Sequence, residues 1–252
     1  MSTPIQNSLT QMSNWCSKWL LKVNASKCKS MRLTRSKDPI KATCSYNILS
    51  TSLNQVKTHK HLGVTLSSDL SWKSHVLTVA AKANKILGLL KRTFGSCSEA
   101  IITGYKTMVR PILEYACPAW NPHQAYLSNK LERVQRNVSR WILGSDIDYD
   151  ERLKYLGWLK LDSRRELLSL VQLFKFINGF SKVDLNKYLS FSRGNTRSRN
   201  ESKIFKPFAR TNIYKYSFWL RYIDLWNSLP NEVVGVKSAK KFKLSLREHL
   251  YK

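Results

Sequence analysis

The side chains with the most chemistry to offer in this chain are cations, and their spacing says more than their number. Between Leu70 and Ser98 no acidic residue interrupts, while Lys73, His75, Lys82, Lys85 and Lys91 fall off the apolar series Trp72, Val76, Val79, Ala83, Ile86, Leu90 and Phe94. That series has helical spacing. The cations would then stand on the solvent face of a long helix, where they could meet the phosphates of a nucleic acid. Any solvated helix face carries lysines, but a face that needs only solubility usually mixes signs.

A second basic stretch interleaves aromatics: Arg210, Tyr214, Lys215, Tyr216, Phe218, Trp219, Arg221 and Tyr222. Aromatic rings can stack unpaired bases while neighbouring cations neutralise phosphates. Phe218, Tyr222, Leu225 and Leu229 also have the helical spacing of ordinary core. The contact candidates left are Arg210, Tyr214, Lys215 and Arg221.

Other constellations promise less. Asp146, Asp148, Asp150 and Glu151 invite a calcium reading, but the sixth and twelfth positions of such a loop would be Glu151 and Gly157 rather than Gly and Glu. The cluster reads instead as a helix start, with carboxylates in the first turn. No carboxylate pair follows a strand hairpin in the way a two-metal centre needs. No phosphate-cradling Gly-rich loop stands out, nor does a nucleophile triad. The sequence therefore nominates no catalytic residue, no metal ligand and no cofactor.

Composition supports a polyanionic partner. The 252 residues carry 43 Lys and Arg against 16 Asp and Glu, a net charge of +27, with 42% hydrophobic residues. That is enough apolar material for a core, and far more charge than solubility requires. RNA and DNA, bound nonspecifically through phosphates, are the expected partners. No stretch approaches the roughly 20 apolar residues of a membrane span, and the N-terminus lacks the pattern of a secretory signal. Cys16, Cys28, Cys44, Cys97 and Cys117 are odd in number and scattered, which argues against a disulfide framework. An intracellular location, nuclear or cytoplasmic, is expected.

Apolar periodicity predicts a helix from Ile5 to Val23, ended by Asn24, then short strands at Lys29 to Thr34, Ser45 to Ile48 and His61 to Leu66. Asp69 or Ser71 would cap the long helix, and Ser98 would cap another that Pro111 kinks or breaks. Leu127, Leu131, Val134, Val138, Trp141 and Ile142 predict a helix stopped by Gly144. Asp162 would cap a helix ended by Asn178 and Gly179. Ser190 to Lys203 reads as a basic linker, followed by a helix from Tyr214 to Leu229 and a last one carrying Phe242, Leu246 and Leu250. The class is α+β, mostly α: a short β element, then helices.

Several segments carry a resemblance. They are W-C-S-K-W-L-L-K-V-N-A-S-K-C-K-S-M from Trp15, H-L-G-V-T-L-S-S-D-L-S-W-K-S-H from His61, M-V-R-P-I-L-E-Y-A-C-P-A-W-N-P-H from Met108 and L-E-R-V-Q-R-N-V-S-R-W-I-L-G from Leu131. Y-D-E-R-L-K-Y-L-G-W, F-K-F-I-N-G and L-W-N-S-L-P follow in order. Together they resemble the region behind the catalytic palm in reverse transcriptases of non-LTR (LINE-type, jockey-like) retrotransposons.

The resemblance implies a palm edge over 1–70 with a primer-grip-like hairpin, thumb-like helices over 71–144, a helical connector over 145–189, and a basic linker with a C-terminal helical region over 190–252. It implies a triphosphate-side role for Lys27, and a grip on the primer backbone for His61 and Gly63. In that family the paired aspartates that hold magnesium lie just before the first of these motifs. The expectation is therefore a polymerase fragment without its catalytic carboxylates, not an enzyme as it stands, with a missing palm as a further partner. Two alternatives stay open: a truncated gene model of an active reverse transcriptase, and a helical remnant of a decayed element.

Overall fold

The computed structural model describes residues 4–33, 45–191 and 203–251. Helices dominate these residues, and the strands form four separate two-stranded pairings. The class is α+β, mostly α, as expected. The chain divides into two compact units, Met1–His75 and Val76–Lys252.

The first unit opens with α1 (Pro4–Lys18). This helix stops well short of Asn24, because Leu20 takes a left-handed φ of 57° and turns the chain. Asn24 instead starts the short 3-10 turn Ala25–Lys27, its side-chain oxygen accepting the Lys27 amide at 3.3 Å. Strands β1 (Lys29–Ser30), β2 (Asn47–Ile48), β3 (Thr51–Ser52) and β4 (Asn54–Gln55) are two residues each. β1 pairs parallel with β4, and β2 antiparallel with β3. Gln6 ties α1 to β2 with a reciprocal pair: its amide nitrogen donates to Asn47 O, and its amide oxygen accepts from Asn47 N, both at 2.9 Å. The expected strand up to Thr34 runs partly outside the described residues, as does Cys44.

The expected single strand from His61 to Leu66 is a hairpin. β5 (Thr58–His61) and β6 (Val64–Ser67) pair antiparallel with His61 opposite Val64. Leu62 and Gly63 make the two-residue turn, both with positive φ, at 46° and 85°. Two left-handed residues match the twist of the flanking strands. Gly63 is therefore a turn residue.

The second unit is helical. α2 (Lys73–Phe94) begins in the first unit and buries Val76, Val79, Ala80, Ala83, Leu87 and Leu90. Just before it, Asp69 closes a turn by accepting the Ser71 amide at 3.0 Å. α3 (Ser98–Gly104) starts on Ser98 itself, with Cys97 at the cap position and no side-chain cap bond. A π turn, Tyr105–Val109, then leads into α4 (Arg110–Glu114). Pro111 sits in the first turn of α4, directly after the π turn. The proline is absorbed by widening the preceding turn, so the chain stays helical.

α5 (Cys117–Trp120) is followed by α6 (Ala125–Leu143), which ends on Gly144 at φ 87°, and by α7 (Tyr149–Leu156). Asp148 caps α7 by accepting the Asp150 amide at 2.9 Å, with Asp150 and Glu151 in the first turn. α8 (Leu161–Ile177) is not capped by Asp162. Its Leu161 amide is taken at 2.9 Å by Glu132, a carboxylate presented by α6.

Ser190–Phe191 and Ile204–Phe205 form the antiparallel pair β7 and β8, so the first two residues of the expected linker are strand; residues 192–202 lie outside the described residues. The expected helix from Tyr214 to Leu229 is three short ones, α9 (Asn212–Lys215), α10 (Phe218–Arg221) and α11 (Ile223–Ser228). α12 (Asn231–Val234) and α13 (Ala239–Tyr251) complete the chain. Phe174 of α8 stacks on Phe242 of α13 at 4.3 Å, with Trp226 packed beside Phe242. Tyr222 and Leu229 are core, and Phe218 and Leu225 pack against it. No helix among the described residues is long and apolar enough to cross a membrane.

Candidate nucleic-acid interface

A helix advances about 100° per residue around its axis, so its buried positions fix where every other side chain stands. On α2 the buried series leaves Lys73, Lys82, Lys85 and Lys91 exposed. They do not form one row: Lys73 and Lys91 border the buried face, while Lys82 and Lys85 stand on its far side. His75 does not join them. It is 2% exposed, its Nδ1 accepts the Thr65 amide at 3.2 Å, and burial lowers its pKa. An imidazole held neutral in this way offers no charge to a phosphate.

In the first unit, Lys27 is exposed at the end of its 3-10 turn, and His61 and Gly63 are exposed at the tip of the β5–β6 hairpin. In the second unit, Arg210, Tyr214 and Lys215 are exposed. Arg221 is half-buried, and its Nη1 donates to Asn121 O at 2.6 Å. It therefore holds the Asn121–His123 segment in place. Asn121 is gripped from two further sides, donating to the Tyr222 hydroxyl at 2.8 Å and accepting from Arg165 Nε at 3.0 Å. His123, thus positioned, stacks flat on Tyr216 with ring centres 4.0 Å apart, and Lys215 Nζ lies 5.5 Å from the Tyr216 ring centre. The aromatic-basic stretch accordingly splits into inward core and an exposed ring pair beside a lysine.

The spacing of its apolar residues announces α6, but not the role of its outward face. Its buried face is Leu127, Leu131, Val134 and Val138, and a polar core lies beside it. Glu132 accepts from Leu161 N and from the Tyr149 hydroxyl, and Gln135 accepts from the Tyr105 hydroxyl at 2.7 Å while donating to Leu159 O at 3.0 Å. Burial raises the Glu132 pKa, and hydrogen bonds from Tyr149 and Leu161 partly oppose that rise. The outward face carries Arg133, Arg136 and Arg140, all exposed. The signal was present as R-V-Q-R-N-V-S-R, three arginines at steps of three and four.

Comparison with known proteins gives the chain its relatives. It is 24% identical over 164 residues to the RNA-directed DNA polymerase from mobile element jockey of Drosophila funebris, a match covering 61% of this chain and 18% of that protein. It is 26% identical over 143 residues to the probable RNA-directed DNA polymerase from transposon BS of Drosophila melanogaster, covering 55% of this chain and 16% of the relative. The probable RNA-directed DNA polymerase from transposon X-element of the same species is 26% identical over 149 residues, covering 56% and 16%. The chain thus spans less than a fifth of the length of these relatives. No family model matches it, and neither does any solved structure. What the matches establish is partial homology between this chain and the RNA-directed DNA polymerases of LINE-type mobile elements.

Proposed function

We propose that this chain is a nucleic-acid-holding part of a retrotransposon reverse transcriptase, binding RNA and DNA nonspecifically through their phosphates. The observation that carries the reading is charge: a net +27, with exposed cations on α2, on α6 and around α9. A field of that size concentrates polyanions at the surface. The relatives' names, which describe RNA-directed DNA polymerases, supply the context.

In this reading the chain contributes no catalytic carboxylate, and the magnesium of the intact polymerase is held by a palm that acts as this chain's partner. Lys27, His61 and Gly63 are assigned to the primer and triphosphate side. The exposed lysines of α2, with Arg210, Tyr214 and Lys215, are assigned to the duplex backbone and unpaired bases. His75 and Arg221 act by positioning their neighbours.

The test is a salt titration of the purified chain on duplex DNA and on RNA. If six to eight phosphates are neutralised, log K against log [salt] slopes at about −5 to −7 on duplex DNA. A slope near zero, or no binding at low salt, refutes the reading.

A further inference from the structure

The outward face of α6 is the one place among the described helices where arginines stand in a single row. At about 100° per residue, Asn129, Arg133, Arg136, Asn137 and Arg140 fall within an arc of about 100°, whereas the lysines of α2 are spread around its exposed surface. All five are exposed and together line a hollow of about 430 Å³. None of the three arginines makes an ion pair among the described residues.

The nearest acid in sequence, Glu132, is turned inward and spent on Leu161 N and the Tyr149 hydroxyl. The adjoining hollow of about 690 Å³ is different. It shares Arg136 and Arg140 with the row and adds Arg152, Lys160 and the carboxylates of Asp146, Asp148 and Asp150, with Lys160 paired to Asp150 at 3.0 Å. The row's own hollow has no carboxylate in its lining, and the aspartates stand only on the neighbouring side.

Arg136 is also held in place, with its guanidinium carbon 4.7 Å from the centre of the Tyr149 ring. A guanidinium stacked on a ring keeps its N–H edges available for bidentate bonding to phosphate. From Arg133 to Arg140 the helix rises about 10.5 Å, about three axial steps of one strand at roughly 3.4 Å each, a span that holds four successive phosphates for the three arginines to share. The two asparagines add neutral donors and acceptors between the charges.

We propose that this face is a specific docking row for neighbouring phosphates along one nucleic-acid strand, with Arg133, Arg136 and Arg140 each taking a phosphate. The proposal rests on the nucleic-acid reading above and sharpens it to one helix face.

The experiment compares R133Q/R136Q/R140Q with K240Q/K241Q/K243Q, three exposed lysines on α13; both variants lose three charges. Binding is measured on a 20-base-pair DNA duplex across salt concentrations. The arginine variant is expected to flatten the log–log slope by 2 to 3, at about 0.9 for each phosphate no longer neutralised. The lysine variant should change it by less than 1. Single variants R133Q and R140Q, each expected to flatten it by about 0.9, supply the reading should the triple variant fail to fold. Wild-type binding with a steep slope, left unchanged by the arginine variants or flattened equally by the lysine variant, overturns the row and leaves the nucleic-acid reading intact. Absence of salt-dependent binding by the wild-type chain sinks both.

Discussion

Glu132 and Leu161 stand 29 positions apart, yet the carboxylate of one accepts the backbone amide of the other at 2.9 Å, so α8 takes its cap from inside α6. The same carboxylate accepts the Tyr149 hydroxyl. Three helices, α6, α7 and α8, thus meet on one side chain. Glu132→Ala strands two buried donors and is expected to cost about 2–4 kcal/mol, read as a fall in the midpoint of urea unfolding. A loss under half a kilocalorie would mean that water or a shifted side chain replaces the carboxylate.

The same residue sets a pH dependence. Burial raises its folded pKa above the unfolded value, so the folded chain holds this proton more tightly. Its contribution to stability is full below the unfolded pKa and declines as pH rises through the folded one. Glu132→Gln should remove that decline. Thermal midpoints of the two proteins, measured in parallel from pH 4 to 8, should diverge in that direction. Parallel curves would contradict the assignment.

Two glycines on facing helices should respond oppositely to alanine. A Cβ at Gly104 would lie 2.8 Å from Cδ2 of Leu90, a side chain only 2% exposed, whereas one at Gly88 meets nothing nearer than Arg92 Nη1 at 3.9 Å. Gly88→Ala should gain roughly 0.5–1 kcal/mol from helix propensity. Gly104→Ala should lose about 1–3 kcal/mol to overpacking, less that gain. Equal shifts in melting temperature would show that Leu90 yields freely.

Cysteine chemistry should separate in the same way. Cys97 is exposed, while Cys117 is buried and its thiol pushed up to about 12 by burial. Thiolate is the reactive form. Brief treatment of the native chain with iodoacetamide, followed by peptide mass spectrometry, should label Cys97 and spare Cys117 until denaturant is added. Early modification of Cys117 would show that the α5 region opens readily.

The first unit should be the part cut first by protease. Within Met1–His75 the only fully buried large apolar side chain among the described residues is Ile48, while Ile5, Met12 and Trp15 of α1 and Trp19 just beyond it are exposed. Segments with few buried apolar contacts open at low free-energy cost. Limited digestion is expected to leave a resistant fragment beginning near residue 70. Equal resistance along the chain would contradict this.

Where the fold could be read from sequence, the signal was local. Leu127, Leu131, Val134 and Val138 announce α6 by their spacing, and Gly144 ends it as a residue free to take φ 87°. Asp148 announces α7 by offering its side chain to an amide two residues on. What escaped was set elsewhere in the chain. Asp162 has the right type to cap α8, but Glu132 reaches the amide first. Leu62 gives no hint of a left-handed turn, since a leucine rarely adopts one. The apolar spacing of Phe218 to Leu229 fits one helix, yet Ser217 and Tyr222 break it into short turns that fold the rings around Trp219. The arginines of α6 escaped for another reason: attention to apolar stripes fixes the buried side of a helix and leaves the opposite side unread.

The π turn at Tyr105–Val109 also bears on how this chain tolerates change in length. A π turn holds roughly one residue more than the α-helical turn it replaces. Removing one residue there would let α3 run straight into α4 as regular helix. The turn would still close through one revolution, so Leu113 would stay on the core, while Pro111 would follow a regular α turn in which its ring obstructs the preceding carbonyl. Among related chains, a one-residue gap within 105–109 should thus be tolerated without a change of helical phase where position 111 is not proline.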